Sequence, residues 1–365
     1  MSARIASGRI RVLGTGQCLP GLAISNHDLL TRISQNFGIS TRRGKAIASL
    51  IGIDYRHHAR DWQQRLEAPK SGERNPDLCA LALRQAFAEA SLAETNLQYL
   101  IGHTTTPARL LPPNIAEVAM QLCHTAPYME LRQACTGFAN ALQIAFGMLN
   151  DAQANPKPKP IGIVGSELGS VFLDPALLPN SPDQWVNLMQ MGDGAGAILL
   201  APDDETEDAD SKSATIECAF FGHLAICQSG FSLADGGSDF PSIVTGSQTA
   251  QFQHDFESVR SIGAALFHAG FAAAKQAGVN IHDLAYILPH QANGHIGDWI
   301  AREYDLPPAL FYGNARHVGN LGSAAIWVAL DTLRRSGLLH ANDKVLVLGA
   351  EASQYMYGGF VYTHA

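Results

Sequence analysis

The sequence predicts a mixed α/β fold made of two similar halves, and an internal repeat is the main reason for this prediction. Three pairs of segments resemble each other in the same order, at offsets of 187, 185 and 184 residues: 99–103 with 286–290, the run from Cys135 with the run from Asn320, and 163–167 with 347–351. A weaker resemblance joins 192–200 to 358–362. The period of roughly 180 residues is too long for a solenoid and indicates a duplicated unit.

Within each half, short β-branched runs alternate with helical patterns, which predicts buried strands covered by helices. The clearest examples are the strands 161–164 and 344–348 and the helices 81–92 and 262–277. The acidic run 202–213 lacks large apolar residues and is typical of a solvated loop rather than a metal site. It separates two predicted domains, 1–201 and 214–365. A second exposed connection is expected at 155–160, where prolines alternate with lysines.

Composition excludes several classes of protein. The 365 residues are 46% hydrophobic and 16% charged, as in a well-buried globular protein. The formal charge of -8 and the lack of a long basic run disfavour nucleic acid as a partner. The chain shows no signal-peptide pattern and no apolar run of about 20 residues. Its six cysteines include no C-x-x-C pair, so we expect a cytoplasmic protein without a metal site.

Cys135 is the leading candidate for a nucleophile. It lies at the predicted start of an apolar helix that continues to about Leu149. The exposed N–H groups and the positive dipole end of a helix favour the thiolate, which is the form that attacks an acyl group. A lone cysteine is more often a buried structural residue, so the interpretation depends on partners elsewhere in the chain.

Two polar residues in the second half supply those partners. His290 follows a predicted strand, and Asn320 starts the helix equivalent to the one at Cys135. Taken alone, His290 is more often an interior histidine and Asn320 a helix cap. Equivalent helix starts face each other near a pseudo-twofold axis, so the three residues can converge. Cys135 would then hold an acyl group while His290 and Asn320 donate hydrogen bonds to the enolate of a second thioester.

Two glycine-rich runs also lie in the sequence, and they have different expected roles. Backbone N–H groups at Cys135 and in the run 357–360 could hold the oxyanion of an acyl-enzyme, since glycine permits close approach. The run 192–196 precedes a predicted strand and lacks the lysine of a phosphate loop, so we interpret it as structural. A papain-like Cys–His protease is conceivable, but it leaves the duplication without a role.

These motifs resemble the β-ketoacyl-acyl-carrier-protein synthase III family of the thiolase superfamily, over about Arg11 to Tyr362. The motifs that carry the resemblance are Ala134-Cys-Thr-Gly-Phe138, Met191-Gly-Asp-Gly-Ala-Gly-Ala197, Pro289-His-Gln-Ala-Asn293 and Gly319-Asn320, with support from 103–107 and 358–360. The resemblance implies a thiolase-like fold in five layers (αβαβα), a homodimer, and decarboxylative Claisen condensation. It also implies acyl-CoA or acyl-carrier-protein thioesters as substrates and no further cofactor.

The resemblance also implies roles for individual residues. Cys135 is the acylated nucleophile, and His290 and Asn320 stabilise the enolate. The N–H groups of Cys135 and Gly358 form the oxyanion hole. The remaining assignments concern substrate and carrier: Asn293 on the pantetheine arm, Leu111 crossing to the partner's acyl pocket, and Arg260 and His295 at carrier-protein docking positions. Apart from the resemblance, we expect Leu111 and Phe172 to limit the acyl tunnel.

The sequence departs from family members that prime from acetyl-CoA. In those members a tryptophan and an arginine hold the adenine ring, whereas the aligned stretch 46–53 has small or apolar residues there, and the second arginine position is Val171. His295 likewise replaces a docking arginine. We therefore expect free acyl-CoA to be held more weakly, and a specialised member in fatty-acid or specialised lipid or polyketide biosynthesis. The sequence does not decide between CoA and carrier-protein donors.

Two other functions remain open at this point. One is an acyltransferase of the same fold that passes the acyl group to an alcohol or amine. Retention of both His290 and Asn320 favours condensation instead, because transfer to a heteroatom needs a general base more than paired enolate donors. The other is a non-catalytic partner subunit, which would not need Cys135.

Overall fold

The structure is a computed structural model, and it describes residues 3–151, 158–203, 213–226, 229–234 and 251–365. The described strands are β1 Arg4–Cys18, β2 Ile24–Ser25, β3 Tyr55–Arg56, β4 Tyr99–His103, β5 Tyr128–Leu131, β6 Ile161–Glu167, β7 Gly194–Pro202, β8 Thr215–His223, β9 Phe231–Ala234, β10 Gln251–His254, β11 Leu284–Pro289, β12 Lys344–Glu351 and β13 Met356–Thr363. The described helices are α1 Asn26–Phe37, α2 Arg42–Ile51, α3 Asn75–Glu89, α4 Asn114–Gln121, α5 Gly137–Asn150, α6 Pro182–Gln190, α7 Phe256–Gln276, α8 Ile296–Glu303, α9 Ala315–Val318 and α10 Ala325–Arg335.

The main sheet contains nine strands in the order β11-β12-β13-β8-β1-β7-β6-β4-β5. Strand β1 joins the two halves, because its N-terminal part pairs with β8 and its C-terminal part pairs with β7. Strands β4 and β6 are parallel to each other, as are β11 and β12, while β7 and β13 are antiparallel to their neighbours β6 and β12. Outward from the central pair β1–β8, the order is β7-β6-β4 on one side and the equivalent β13-β12-β11 on the other, with β5 added at the first edge, which confirms the duplication.

The alternation of side chains between the two faces of each strand produces the layers. In β6, Ile161 and Ile163 face a central core while Val164 faces an outer one. In β12, Val345 and Val347 face the central core while Leu346 faces the other outer core. Successive side chains point to opposite faces of a strand, so a run that is apolar throughout is buried on both faces.

Helices fill the space between and outside the strands. Helices α5 and α10 pack together in the central core, against inward-facing residues of both halves. Helices α3 and α4 cover the outer face of the first half, and α7 and α8 cover that of the second. The result is the five-layer α/β arrangement that the sequence predicted.

A fourth apolar cluster forms a cap on this body. It contains side chains of α1, α2 and α6 together with Phe231 and Phe252 of the small β9–β10 sheet. The cap contacts the loop after β11, since the Gly294 N–H donates to the Ile51 carbonyl and Gln190 Nε2 donates to the Ala292 carbonyl. It therefore borders the region where the predicted site residues lie.

Several sequence boundaries shift in the structure. Helix α5 begins at Gly137 rather than at Cys135, and α10 begins at Ala325 after a 3₁₀ turn at Gly322–Ala324. Most of the predicted loop 202–213, the residues 152–157 and most of the loop 229–249 lie outside the described residues, so the boundary between the two domains stays a prediction. Among the described residues no helix is both long enough and apolar enough to span a bilayer.

Candidate active site

Cys135 and His290 flank the carboxyl end of β12. The His290 N–H donates to the Leu348 carbonyl over 2.6 Å. The next residue, Gly349, lies so close to the segment before α5 that a Cβ added there would be 3.4 Å from the Cys135 carbonyl oxygen. A glycine is needed for this approach, because the same Cβ would lie 2.6 Å from the ring of Phe138. The sheet thus brings the two predicted residues to one end of a parallel strand pair.

Asn320 is joined to the same region through the turn that precedes α10. Its N–H donates to the Gln190 carbonyl over 2.8 Å. Its Oδ1 accepts from the Gly322 N–H over 3.0 Å, and the amide NH₂ has no acceptor among the described residues. Ser323 Oγ lies 3.2 Å from the Gln133 carbonyl oxygen, so the Asn320 turn and the segment before Cys135 are in contact. All three predicted residues therefore belong to segments that meet.

The electrostatics of Cys135 differ from the sequence expectation. The residue is half-buried, and burial raises the pKa of its thiol well above the usual value. The charges of Glu351 and then Glu167 raise this pKa further, and the N–H of Cys135 itself opposes them only in part. The expectation of a favoured thiolate is therefore wrong, since the helix-end effect is outweighed by desolvation and two carboxylates. The resting form is the thiol, which needs a base.

His290 is the candidate for that base. Its side chain is buried, and burial lowers its pKa to about 4, so the imidazole is neutral at neutral pH. Its Nδ1 is buried without a hydrogen-bond partner among the described residues. A neutral imidazole can accept a proton at one nitrogen and donate at the other.

Contacts at the two helix starts correct the equivalence of Cys135 and Asn320. Thr136 donates both its N–H and its hydroxyl to Glu351, over 2.8 and 2.6 Å. Ser323 donates the same two groups to Glu167, over 3.2 and 2.8 Å. These matching contacts set the offset of the helices at 187, as for the segments 99–103 and 286–290, so Cys135 corresponds to Gly322 and not to Asn320. The predicted offset of 185 is wrong by two residues.

Gly358 does not have the placement expected of an oxyanion-hole residue. It lies inside β13, opposite Gly349 on one side and Phe221 on the other. A residue flanked by antiparallel strands on both sides uses its N–H in the ladder. A Cβ at Gly358 would lie 2.5 Å from the Cβ of Ala139, so the glycine makes room for α5. We therefore correct its predicted role from oxygen binding to packing.

The glycine-rich run after α6 is structural, as expected. Asp193 accepts from the Ala59 N–H over 2.7 Å and from the Ser170 N–H over 2.9 Å. Its other contact is with the Ser170 hydroxyl, at 2.5 Å. The carboxylate thus ties the start of β7 to two loops, and no phosphate-binding role is needed.

The predicted substrate and carrier residues occupy different places. Asn293 lies in the loop after β11, where its Oδ1 accepts from the His295 N–H over 2.8 Å. Phe172 packs edge-on against Phe252 in the cap, with ring centroids 5.9 Å apart. Leu111 is 82% exposed, so within this chain it lines no enclosed pocket. Arg260 and His295 are exposed, and these five roles stay predictions.

Helix α2 bears on the choice of donor. Ala46 and Leu50, at the expected clamp positions, are exposed and present no ring or cation for an adenine. The end of α2 meets the site loop, because the His295 ring lies against Gly52. Three basic residues that the sequence analysis did not single out are exposed on the first turns of this helix: Arg42, Arg43 and Lys45. The sequence feature that could have identified them is that all three basic residues fall within four positions.

Comparisons with known proteins agree with this geometry. The profile of 3-oxoacyl-[acyl-carrier-protein] synthase III matches residues 129–218, and the profile of its C-terminal part matches residues 274–363. β-Ketoacyl-[acyl-carrier-protein] synthase III of Desulfitobacterium hafniense is 29% identical over 359 residues, covering 93% of each chain. The protein of the same name from Rhodopirellula baltica is 25% identical over 354 residues, covering 93% of this chain and 94% of the relative.

Solved structures show the same fold. The tetronic acid condensing enzyme AbyA1 superposes with a TM-score of 0.80 at 23% identity, over 97% of this chain and 99% of its own. The 3-oxoacyl-[acyl-carrier-protein] synthase III of Aquifex aeolicus superposes with a TM-score of 0.74 at 21% identity, over 97% and 100%. Together with the site described above, these matches show that the chain belongs to the β-ketoacyl-acyl-carrier-protein synthase III family of acyl-transferring condensing enzymes, within the thiolase-like fold.

Proposed function

We propose that this protein acylates Cys135 from an acyl thioester and then condenses the acyl group with a malonyl or β-ketoacyl thioester. The observation that supports the proposal is that the segments of Cys135, a neutral His290 and Asn320 are in contact at one end of the sheet. A thiol, a base and an amide donor suit a two-step acyl transfer better than any single-step hydrolysis.

The first step is transfer of the acyl group. His290 accepts the thiol proton as the Cys135 sulfur attacks the thioester carbonyl carbon. The tetrahedral intermediate collapses by breaking the bond to the donor sulfur, and the departing thiolate takes the proton from the imidazolium. The N–H of Cys135 stabilises the intermediate's oxyanion, and we look for a second donor in the β12–β13 turn, residues 352–355, because Gly358 is committed to the sheet.

The second step is condensation. Loss of CO₂ from a malonyl thioester leaves an enolate, whose oxygen accepts hydrogen bonds from His290 and the Asn320 NH₂. The enolate carbon attacks the acyl carbon on Cys135, and the bond from that carbon to sulfur breaks. The Cys135 sulfur leaves as a thiolate and takes a proton from solvent, and the product leaves as a β-ketoacyl thioester. The step uses no cofactor besides the thioester substrates.

We propose a carrier-bound acyl donor for this reaction, which takes place in the cytoplasm. Ala46 and Leu50 offer no adenine clamp, so a free acyl-CoA loses that binding energy. Acidic carrier proteins need positive charge near the entrance, and Arg260, His295 and the basic turn of α2 can supply it. The product then belongs to fatty-acid, specialised lipid or polyketide biosynthesis.

A homodimer is part of the proposal. Strand β5 lies at the edge of the sheet and leaves its outer ladder unpaired among the described residues. Exposed apolar side chains accompany it on the adjoining loop and helix: Leu110 at 72%, Leu111 at 82% and Met120 at 76%. Pairing of this edge with a second copy covers these residues and carries Leu111 toward the partner's acyl pocket.

Intact-protein mass spectrometry with a panel of acyl-CoAs and acyl-carrier proteins tests the donor and the nucleophile. We expect one acyl group per subunit from medium or long carrier-bound chains, and none on the Cys135→Ala variant. Efficient labelling from acetyl-CoA would contradict the donor assignment. An unchanged labelling yield on Cys135→Ala would contradict the nucleophile.

Release of CO₂ from malonyl-carrier protein separates condensation from transfer to an alcohol or amine. We expect release by the wild-type protein and by Cys135→Ala, and a strong reduction in Asn320→Ala, because only the enolate step uses that amide. A wild-type protein that becomes acylated but releases no CO₂ is instead an acyltransferase to a heteroatom.

A further inference from the structure

Two buried glutamates have no place in the steps above. Glu167 ends β6 and Glu351 ends β12, at equivalent positions of the repeat. The sequence analysis used both as the last residues of matching segments but assigned them no function. Each carboxylate reaches into the opposite half of the molecule, Glu351 to the start of α5 and Glu167 to the turn before α10.

The contacts of Glu351 bracket the nucleophile. It accepts from the Ala134 N–H over 3.3 Å and from the Thr136 N–H and hydroxyl over 2.8 and 2.6 Å. The Ser353 hydroxyl also donates to it. The residues immediately before and after Cys135 are thus fixed by one side chain.

The contacts of Glu167 lead to Asn320. It accepts from the hydroxyls of Thr105 and Thr106, each over 2.6 Å, and from the N–H and hydroxyl of Ser323. Gly322, the residue before Ser323, donates its N–H to Asn320 Oδ1. Fixing this turn therefore fixes which atoms of the Asn320 amide point toward the substrate.

Stability alone does not account for this pair. Neither glutamate forms an ion pair with a cation among the described residues, and every recorded partner is a hydroxyl or a backbone N–H. A buried carboxylate without a cation costs free energy, which hydrogen bonds offset only in part. The charge of Glu351 also opposes ionisation of Cys135. Such a residue is better explained by the geometry it imposes.

We propose that Glu351 and Glu167 are positioning residues that each govern one half-reaction: Glu351 orients Cys135 for acylation, and Glu167 orients Asn320 for formation of the enolate. This inference rests on the proposed function. Because the contacts cross between the halves, each half of the duplicated fold holds the reactive group of the other.

Separate measurement of the two half-reactions tests the inference. Acylation is followed as the single-turnover rate of labelling of Cys135 by an acyl thioester. Enolate formation is followed as CO₂ release from malonyl-carrier protein in a Cys135→Ala background. We expect Glu351→Gln to slow acylation by about 10- to 100-fold with little effect on CO₂ release, because small misplacement of reacting groups has effects of this size. Glu167→Gln should show the reverse pattern.

Further variants make the result independent of folding. Thr136→Val and Ser323→Ala each remove one hydroxyl donor and should show the same split with a smaller effect. Glu351→Asp and Glu167→Asp keep the charge and should recover part of the lost rate. Asp331→Asn is the matched control, since Asp331 is also a fully buried carboxylate, bound by Thr15 and Arg335, and should change both rates in equal proportion.

The alkylation profile of Cys135 gives a readout that a purely structural role would not move. The described charges acting on this thiol are those of Glu351 and Glu167, since the nearby His290 and His103 are neutral. Glu351→Gln should shift alkylation of Cys135 to lower pH. If both glutamine variants slow both half-reactions alike, the inference is wrong and the proposed function stands. If the wild-type protein releases no CO₂, the proposed function fails first.

Discussion

The starts of α5 and α10 are held in the same way, yet only one is preceded by the proposed nucleophile. In both, a hydroxyl residue donates its N–H and side chain to a glutamate of the opposite half. The preceding residue is Cys135 in one case and Gly322 in the other. A Cβ at Gly322 would lie 2.6 Å from Glu167 Oε2, so the second position has no room for a side chain. The two halves therefore share the glutamate contacts at the helix start and differ in the residue before it, which is a cysteine in one half and a glycine in the other.

The two equivalent histidines differ in a related way. His103 accepts from Trp327 Nε1 over 3.0 Å, and burial lowers its pKa to about 3. Residue 140 is the α5 equivalent of Trp327, and Asn140 there donates to Gln133 instead of to His290. His290 therefore keeps a ring nitrogen available to hydrogen-bond a substrate, whereas the His103 ring holds α10 in place through Trp327.

The largest expected difference between the halves is in the histidines. His290→Ala should reduce CO₂ release by about 10²–10³-fold, the usual effect of removing one oxyanion donor. His103→Ala should instead lower the free energy of unfolding by about 1–3 kcal/mol, because the buried Trp327 N–H loses its acceptor. Rate assays and urea denaturation of both variants check this; equal effects on CO₂ release would break the comparison.

Filling the position opposite the nucleophile should be costly to stability. Gly322→Ala places a Cβ against Glu167 at a residue with φ of 50°, and we expect the free energy of unfolding to fall by about 2–4 kcal/mol. Gly337→Ala is the control, since its φ is 74° but no atom lies within 4 Å of the added Cβ. Its expected loss is about 1 kcal/mol. Denaturation midpoints measure both, and equal losses would show that backbone conformation alone decides.

The strand glycines should behave alike in the two halves. Gly358→Ala meets Ala139, and Gly196→Ala meets Trp327 at 2.6 Å. Each of these variants should lose about 1–3 kcal/mol of unfolding free energy because the added methyl group overpacks the core. Gly147→Ala, in α5 with open space around the added Cβ, should instead gain up to about 1 kcal/mol. A Gly358→Ala variant as stable as the wild type would remove the packing role assigned to this residue.

The smallest expected effect concerns cysteine selectivity. The raised pKa of the Cys135 thiol keeps its thiolate fraction low at pH 7, so iodoacetamide should modify the exposed Cys123 before Cys135. Alkylation of Cys135 should rise with pH beyond the range of an ordinary thiol, whereas an acyl thioester should label Cys135 selectively because His290 removes its proton. Peptide mass spectrometry across pH 6–10 measures this, and preferential alkylation of Cys135 at pH 7 would contradict the assigned resting state.

The sequence alone determined the duplication, the alternation of strands and helices, and the three reactive residue types. These are local or periodic properties: an apolar run predicts a buried strand wherever it lies, and repeated segments keep their order. The family resemblance then placed Cys135, His290 and Asn320 in one site, and the contacts of their segments agree.

Only the tertiary structure decided the state of the thiol, the role of Gly358 and the true offset of the helices. The pKa of Cys135 depends on Glu351 and Glu167, which lie 216 and 32 residues away in sequence and act through burial and charge. Gly358 is a packing residue because strands flank it on both sides. Sequence spacing carries no information about which carboxylate reaches which helix start, because those contacts cross between halves and exist only once both have folded.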